Sequence, residues 1–197
     1  MRMLSKIFVA ATFLAASASA ASAVTFASAV VDYNEGAGIE DLSRTNTANA
    51  VGATNGSFLS LGLGGSAVFS FGTDFSGPAA VIEVTNGDRS GYLETAEVYG
   101  GTGYDAGTDT LLGAMLLGSI TNINPTATVI FGGVYSFLKI VDTSQVLAHR
   151  DGFDIDSVSV TAVPLPAGIL LLGGGLALLC TMSRRKRRSG QLEATVA

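Results

Sequence analysis

Three carboxylates fall within six residues late in the chain, Asp151, Asp154 and Asp156, on either side of Gly152. In extended backbone, side chains two positions apart share a face, so Asp154 and Asp156 project together, and a turn at Gly152 brings Asp151 alongside. Hard cations such as Ca²⁺ take several carboxylate and carbonyl oxygens at ~2.3–2.6 Å, which makes this triplet the candidate metal site, a structural calcium. The competing reading is that each Asp caps a turn through its side chain. The segment lacks the D-x-[DN]-x-[DN]-G order of an EF-hand loop. Asp156 shares parity with Val158 and Val160, which aims it toward the core, where an unpaired carboxylate is costly and calls for a cation or a backbone cap. Tyr33, Tyr92, Tyr99, Tyr104 and Tyr135 are candidate stacking platforms for sugars, although tyrosines that flank strands also serve as ordinary packing.

Catalytic chemistry has little to work with. A single histidine, His149, excludes a metal site built on several imidazoles. It stands beside Arg150 with no G-x-S-x-G elbow in the chain, so the sequence predicts a solvated loop histidine rather than a triad base. Cys180 lies in an uncharged run and reads as a small apolar filler. Gly100, Gly101 and Gly103 are followed by neither a Lys nor a helical pattern, so they form no phosphate loop. The expectation is a protein that is not an enzyme and carries no cofactor beyond the candidate calcium.

The segment that must position these residues is 24–162. It holds four bases against fifteen acids, a net charge of −11, which excludes nucleic-acid binding through phosphates. Helical periodicity is scarce; short runs rich in Val, Ile, Phe and Thr recur between Gly, Asn and Asp. Strands are expected at Val24–Asp32, Ser57–Leu63, Ala67–Phe71, Ala79–Thr85, Glu94–Tyr99, Leu111–Leu117, Ala127–Phe131, Val134–Val141 and Ile155–Thr161. Ile82 and Val84 should face inward while Glu83 and Thr85 face water. Gly62, Gly64 and Gly65 suit a tight reversal, and Asn86-Gly87-Asp88 and Gly100–Gly103 read as turns. Asn34–Asn55 reads as loop. The fold class is all-β, a single β-sandwich or jelly-roll-like domain.

Both flanks are apolar and basic. Arg2 and Lys6, the apolar run Ile7–Ala16 and small residues to Ala23 read as a signal peptide over 1–23, an address for the Sec export machinery, with A-x-A cleavage at Ala21-Ser22-Ala23. At the other end, 167–182 carries no charge, and 163–182 is long enough to cross a hydrocarbon core of ~30 Å. Arg184, Arg185, Lys186, Arg187 and Arg188 form the stop-transfer cluster, cytoplasmic by the positive-inside rule, and 189–197 is a short cytoplasmic tail. A plain membrane anchor needs neither the prolines at its mouth nor the glycines in its middle.

The order Val163-Pro164-Leu165-Pro166-Ala167, then a Leu/Gly-rich helix, then an arginine cluster resembles the VPLPA-type variant of the PEP-CTERM sorting signals, over 163–188. The resemblance implies a substrate of an exosortase-type transpeptidase, cut near the proline motif. It further implies an inner-membrane-anchored intermediate with its body in the periplasm, and then delivery to the cell surface or the extracellular matrix. The middle segment is similar, more diffusely, to β-sandwich modules that precede such tails, in 58–66, Ile82–Thr85, Glu94–Tyr99 and Asp151–Val158. The reading that results is a structural or adhesive module with envelope polysaccharide as a candidate partner. A permanently anchored envelope protein without processing is the alternative, and a β-sandwich hydrolase the third.

Overall fold

β-branched and aromatic residues crowd a helical turn but stack well on a pleated surface, and the apolar runs of the middle segment accordingly form strands. The computed structural model describes residues 23–84, 91–147 and 150–163. Eleven strands follow in chain order: β1 (Val24–Phe26), β2 (Ala29–Asn34), β3 (Leu59–Ser60), β4 (Ser66–Glu83), β5 (Thr95–Gly101), β6 (Gly103–Asp105), β7 (Thr110–Leu112), β8 (Met115–Thr121), β9 (Thr126–Val129), β10 (Tyr135–Asp142) and β11 (Asp154–Ala162). The expected loop 34–55 contains two short 3₁₀ turns, Leu42–Thr45 and Thr47–Ala50, capped by the side chains of Asp41 and Asn46.

Every strand pair is antiparallel, and β4 organises them. Its first half pairs with β2 and β10, and its second half with β9 and β11. One layer of the sandwich therefore runs β2-β4-β10-β5-β8. The other runs β9-β4-β11, with β1 and β3 in tandem along the far edge of β11. Between the layers lie Phe69, Phe75, Leu138, Ile140, Val98, Val81, Ile155 and Val158, all fully buried in one core. β6 and β7 pair only with each other. Their hairpin folds back over the outer face of the first layer, with Leu111 against Gly101 and the Tyr104 ring 6.2 Å from that of Phe137.

The structure departs from the sequence expectations at identifiable places. The expected strand Ala67–Phe71 and the described start of the next, Ala79–Glu83, belong to one strand, because Gly72 at φ +70° bends the chain from one layer into the other without ending the ladder. The run Leu111–Leu117 divides at Gly113, φ +62°; β7 turns back to β6 and β8 continues beside β5. Gly100–Gly103 is the end of β5 and the start of β6. The inward and outward assignment at the end of β4 is reversed: Glu83 is buried and Ile82 only half-buried. Gly62 and Gly64 do take positive φ in a reversal, although the strands on either side pair elsewhere. Asn86-Gly87-Asp88 lies outside the described residues.

The two ends of the sandwich differ. At one end β1 meets the end of β11: Ala162 N–H donates to Ala23 C=O (2.9 Å) and Val163 N–H to Asp74 C=O (3.0 Å). At the other end, where β11 begins and β4 and β10 finish, buried carboxyl groups collect.

Candidate functional site

The Asp triplet does not gather around one point. The expected parity breaks at a bulge between Ile155 and Ser157, where the register of β11 against β4 shifts. Asp156 is buried and caps the adjacent loop, accepting from the backbone N–H groups of Asn55 (3.0 Å) and Gly56 (2.9 Å). Asp151 forms an ion pair with Arg44 at 2.5 Å. Asp154 points elsewhere, into a carboxyl cluster with Glu83 and Glu94, and its Oδ1 has no hydrogen-bond partner among the described residues. Among the described residues no group of three or more His, Cys, Asp or Glu side chains is arranged to hold a metal ion.

This carboxyl cluster was not legible as such in the sequence. Glu94 is fixed by Asn122, whose Nδ2 donates to Glu94 Oε2 (3.2 Å) and to Tyr92 C=O (3.1 Å). Burial, a hydrogen bond with Glu83 and the charges of Asp154, Glu83 and Asp151 push the Glu94 carboxyl up to about 9. Burial pushes Asp154 up to about 8, reinforced by Asp151 and Glu83 and opposed by Ser60 and Arg44. Both groups are thus neutral acids at neutral pH, which is how a low-dielectric site tolerates carboxyls crowded together.

The outer face of the first layer offers a different chemistry. Alternation along β5 and β10 turns Ala96, Val98, Leu138 and Ile140 inward and leaves Glu97, Tyr99, Phe137, Lys139 and Val141 on the outer face. The β6–β7 hairpin roofs this face. Its close approach requires glycine at 101, where a Cβ would stand 2.3 Å from Leu111 Cδ1. Two hollows result. One, of about 330 Å³, is lined by Tyr99, Asp109, Thr110, Leu111, Ala114, Lys139 and Val141. The other, of about 320 Å³, is lined by Asp32, Tyr33, Asn34, Ser66, Asp109 and Lys139. Lys139 and Asp109 line both.

The polar groups of the cleft are held in place. Asp109, at the hairpin tip with φ +49°, accepts from the Tyr104 hydroxyl (3.1 Å). Removal from solvent, this bond and the neighbouring Asp32 charge push the Tyr104 phenol up to about 12. The Tyr99 hydroxyl donates to Glu97 Oε2, a bond that raises its pKa, so the ring is fixed in orientation. Lys139 has no ion-pair partner among the described residues. The result is an aromatic ring, an ammonium donor and two carboxylate acceptors lining one cleft. A wider depression of about 710 Å³ beside Arg44 and Phe58 is built differently. There Asp41 and Asn46 cap turns, Asn49 donates to Ser43 and Phe58 carbonyls, and Arg44 is held by Asp151.

The five tyrosines therefore separate. Tyr92 and Tyr135 are buried, Tyr92 donating to Gln145 C=O (2.7 Å) and Tyr135 packing against Phe75 and Phe131. Tyr33 spends its hydroxyl on Ser60 C=O (2.7 Å), and burial with the charges of Glu35 and Asp154 pushes its phenol up to about 12. Tyr99 lines the first hollow and Tyr33 the second, while Tyr104, bonded to Asp109 and beside Phe137, lines neither. No family model and no curated protein matches the chain. Among solved structures it is similar to a truncated AlyQ with CBM32 and alginate lyase domains, at 12% identity and TM-score 0.48, covering 74% of this chain and 35% of that one. It is also similar to CpGH89CBM32-6 produced by Clostridium perfringens, at 9% identity and TM-score 0.42, covering 72% and 94%. A third is the CBM32 of AlyQ in complex with 4,5-unsaturated mannuronic acid, at 11% identity and TM-score 0.38, covering 72% and 95%. The chain spans about a third of the length of the first of these. All three carry CBM32 in their names, and the first carries alginate lyase domains as well.

His149, Cys180, Ala21, Pro164–Ala167 and the basic cluster Arg184–Arg188 lie outside the described residues. Among the described residues no helix is long and apolar enough to cross a membrane.

Proposed function

We propose that the body is a non-catalytic glycan-binding module whose site is the cleft between the β6–β7 hairpin and the outer face of β10 and β5. The observation that supports this reading is the unspent Lys139 between Asp32 and Asp109 with the Tyr99 ring on the same wall. A sugar offers what these groups lack: a C–H face for an aromatic ring, acceptors for the ammonium, and hydroxyl donors for the carboxylates. On an array of immobilised neutral and acidic oligosaccharides, the full chain is expected to bind a defined subset. Tyr99→Ala and Lys139→Ala should each weaken that binding at least about tenfold with an unchanged circular dichroism spectrum. An array on which the wild-type chain is silent removes the reading.

The flanking segments add an address to this activity. An exported module, held by 167–182 and released through the motif Val163–Ala167 by an exosortase-type transpeptidase, would carry its sugar site to the cell surface or matrix. Val163 N–H donates to Asp74 C=O just beyond the end of β11, whereas Pro164 has no N–H to give. Processing is therefore expected after Val163 rather than before it. Mass spectrometry of the mature protein should find Val24 at the start and an end between Val163 and Ala167. A steady-state product that retains Arg184–Arg188 favours the permanently anchored alternative.

A further inference from the structure

Resting on the reading of the cleft as a sugar site, we infer that it takes two contiguous, uncharged pyranose residues of a chain, one in each hollow, with Lys139 and Asp109 between them. The two hollows are of nearly equal size, about 330 and 320 Å³, and these two residues are the wall they have in common. Each alone lies at the bottom of the ~300–1,000 Å³ range of small-molecule sites, so one hollow suits one ring rather than a longer segment.

The hollows differ in chemistry. Tyr99, Leu111 and Val141 give the first an apolar wall suited to the C–H face of a ring. Asp32, Asn34 and Ser66 give the second a polar wall suited to the hydroxyl edge. Neighbouring rings of a glycan present both aspects, and Lys139 on the shared wall can donate to an oxygen of either ring. Its three ammonium protons have no ion-pair acceptor among the described residues.

Charge sets the class of sugar. Asp32 and Asp109 outnumber Lys139 in the cleft, Glu97 sits beside Tyr99, and even with Glu94 and Asp154 protonated the body stays strongly negative. A uronate carboxylate would meet two carboxylates against one ammonium in the second hollow and no net positive charge in the first, where Asp109 offsets Lys139, and partial desolvation strengthens the repulsion in the second. The site thus favours hydroxyl-rich neutral rings over acidic ones.

The test is titration calorimetry of the full chain against glucan, galactan and mannan mono-, di- and tetrasaccharides, with dimannuronate and digalacturonate alongside. For the chain type that binds, the disaccharide should bind at least about tenfold tighter than its monosaccharide, the tetrasaccharide within about threefold of the disaccharide, and the uronate dimers at least about tenfold more weakly. Asn34 is exposed at the end of β2, so Asn34→Ala leaves the core intact. It should bring the disaccharide down to the affinity of the monosaccharide while changing the monosaccharide by less than about twofold. Equal affinity for mono- and disaccharide, or preference for uronate dimers, overturns this inference and leaves the cleft a sugar site. Silence toward every sugar overturns both readings.

Discussion

Raising the pH from 5 to 9 lowers the melting temperature of this protein by on the order of 10 °C, and Glu94→Gln or Asp154→Asn reduces that slope. Glu94 and Asp154 have folded-state pKa values of about 9 and about 8, far above those of an unfolded chain. From about pH 4 upward the unfolded state releases these protons and the folded state keeps them. Folding then takes up protons, and stability falls as the pH rises, until the folded pKa values are passed. The direction is opposite to that of a salt-bridged carboxylate. Repulsion within the acidic body acts in the same sense, so the variants carry the decision. A neutral amide at 94 keeps an oxygen for Asn122 and removes the cost of ionisation. Glu94→Gln should match the wild type near pH 5 and exceed it at pH 9, as read by circular dichroism melts. Parallel wild-type and variant slopes would show that these groups ionise freely in the fold.

Asp142→Ala should cost about 3–5 kcal/mol in urea unfolding, enough to leave little folded protein at 37 °C. The Asp142 side chain is buried and its two oxygens accept four hydrogen bonds. Oδ2 takes the N–H groups of Gly64 (2.9 Å) and Ser144 (3.2 Å). Oδ1 takes the Ser144 hydroxyl (2.6 Å) and Phe153 N–H (2.9 Å). One carboxylate thereby fastens the reversal before β4, the exit from β10 and the approach to β11. Alanine strands the Ser144 and Phe153 backbone donors away from water, while the exposed Gly64 can turn to solvent, and each stranded donor costs about 1–3 kcal/mol before relaxation. Asp142→Asn keeps one acceptor oxygen but turns an NH₂ toward backbone donors, so about half the loss is expected. A variant within about 0.5 kcal/mol of wild type would mean that water replaces the carboxylate without cost.

Local signals were readable where local physics decides. Val158 and Val160 against Ser159 and Thr161 marked β11 as half-buried, and Gly62 and Gly64 marked a reversal that needs positive φ. Where one residue resets the register, the pattern misled. The bulge at Ile155–Ser157 sent Asp156 to a loop backbone instead of beside Asp154, and the bend at Gly72 hid the continuity of β4. Glu83 looked like a solvent-facing residue because its burial depends on Glu94 and Asp154, which reach it from distant parts of the chain. The cleft was half legible. Tyr99 and Tyr104 stood among the candidate platforms, but Lys139, Asp32 and Asp109 converge only because the β6–β7 hairpin folds back. The first of its three-residue strands starts in the Gly100–Gly103 stretch that reads as turn, and the second is hidden in the run Leu111–Leu117 that reads as one strand.

The double membership of β4 has a mechanical meaning. Lys139 lies beside Val68 in the first half of that strand, and the last residues of β11 lie beside Ser76–Ala79 in its second half. In a module gripped by a polysaccharide at Lys139 and tethered at Val163, tension would run from β10 into β4 and out through β11 along one covalent backbone. The ladders on either side would then be loaded lengthwise, so that their rungs share the force and must give way together. Load would cross from one layer to the other through peptide bonds rather than through the greasy contact between them, which resists sliding poorly.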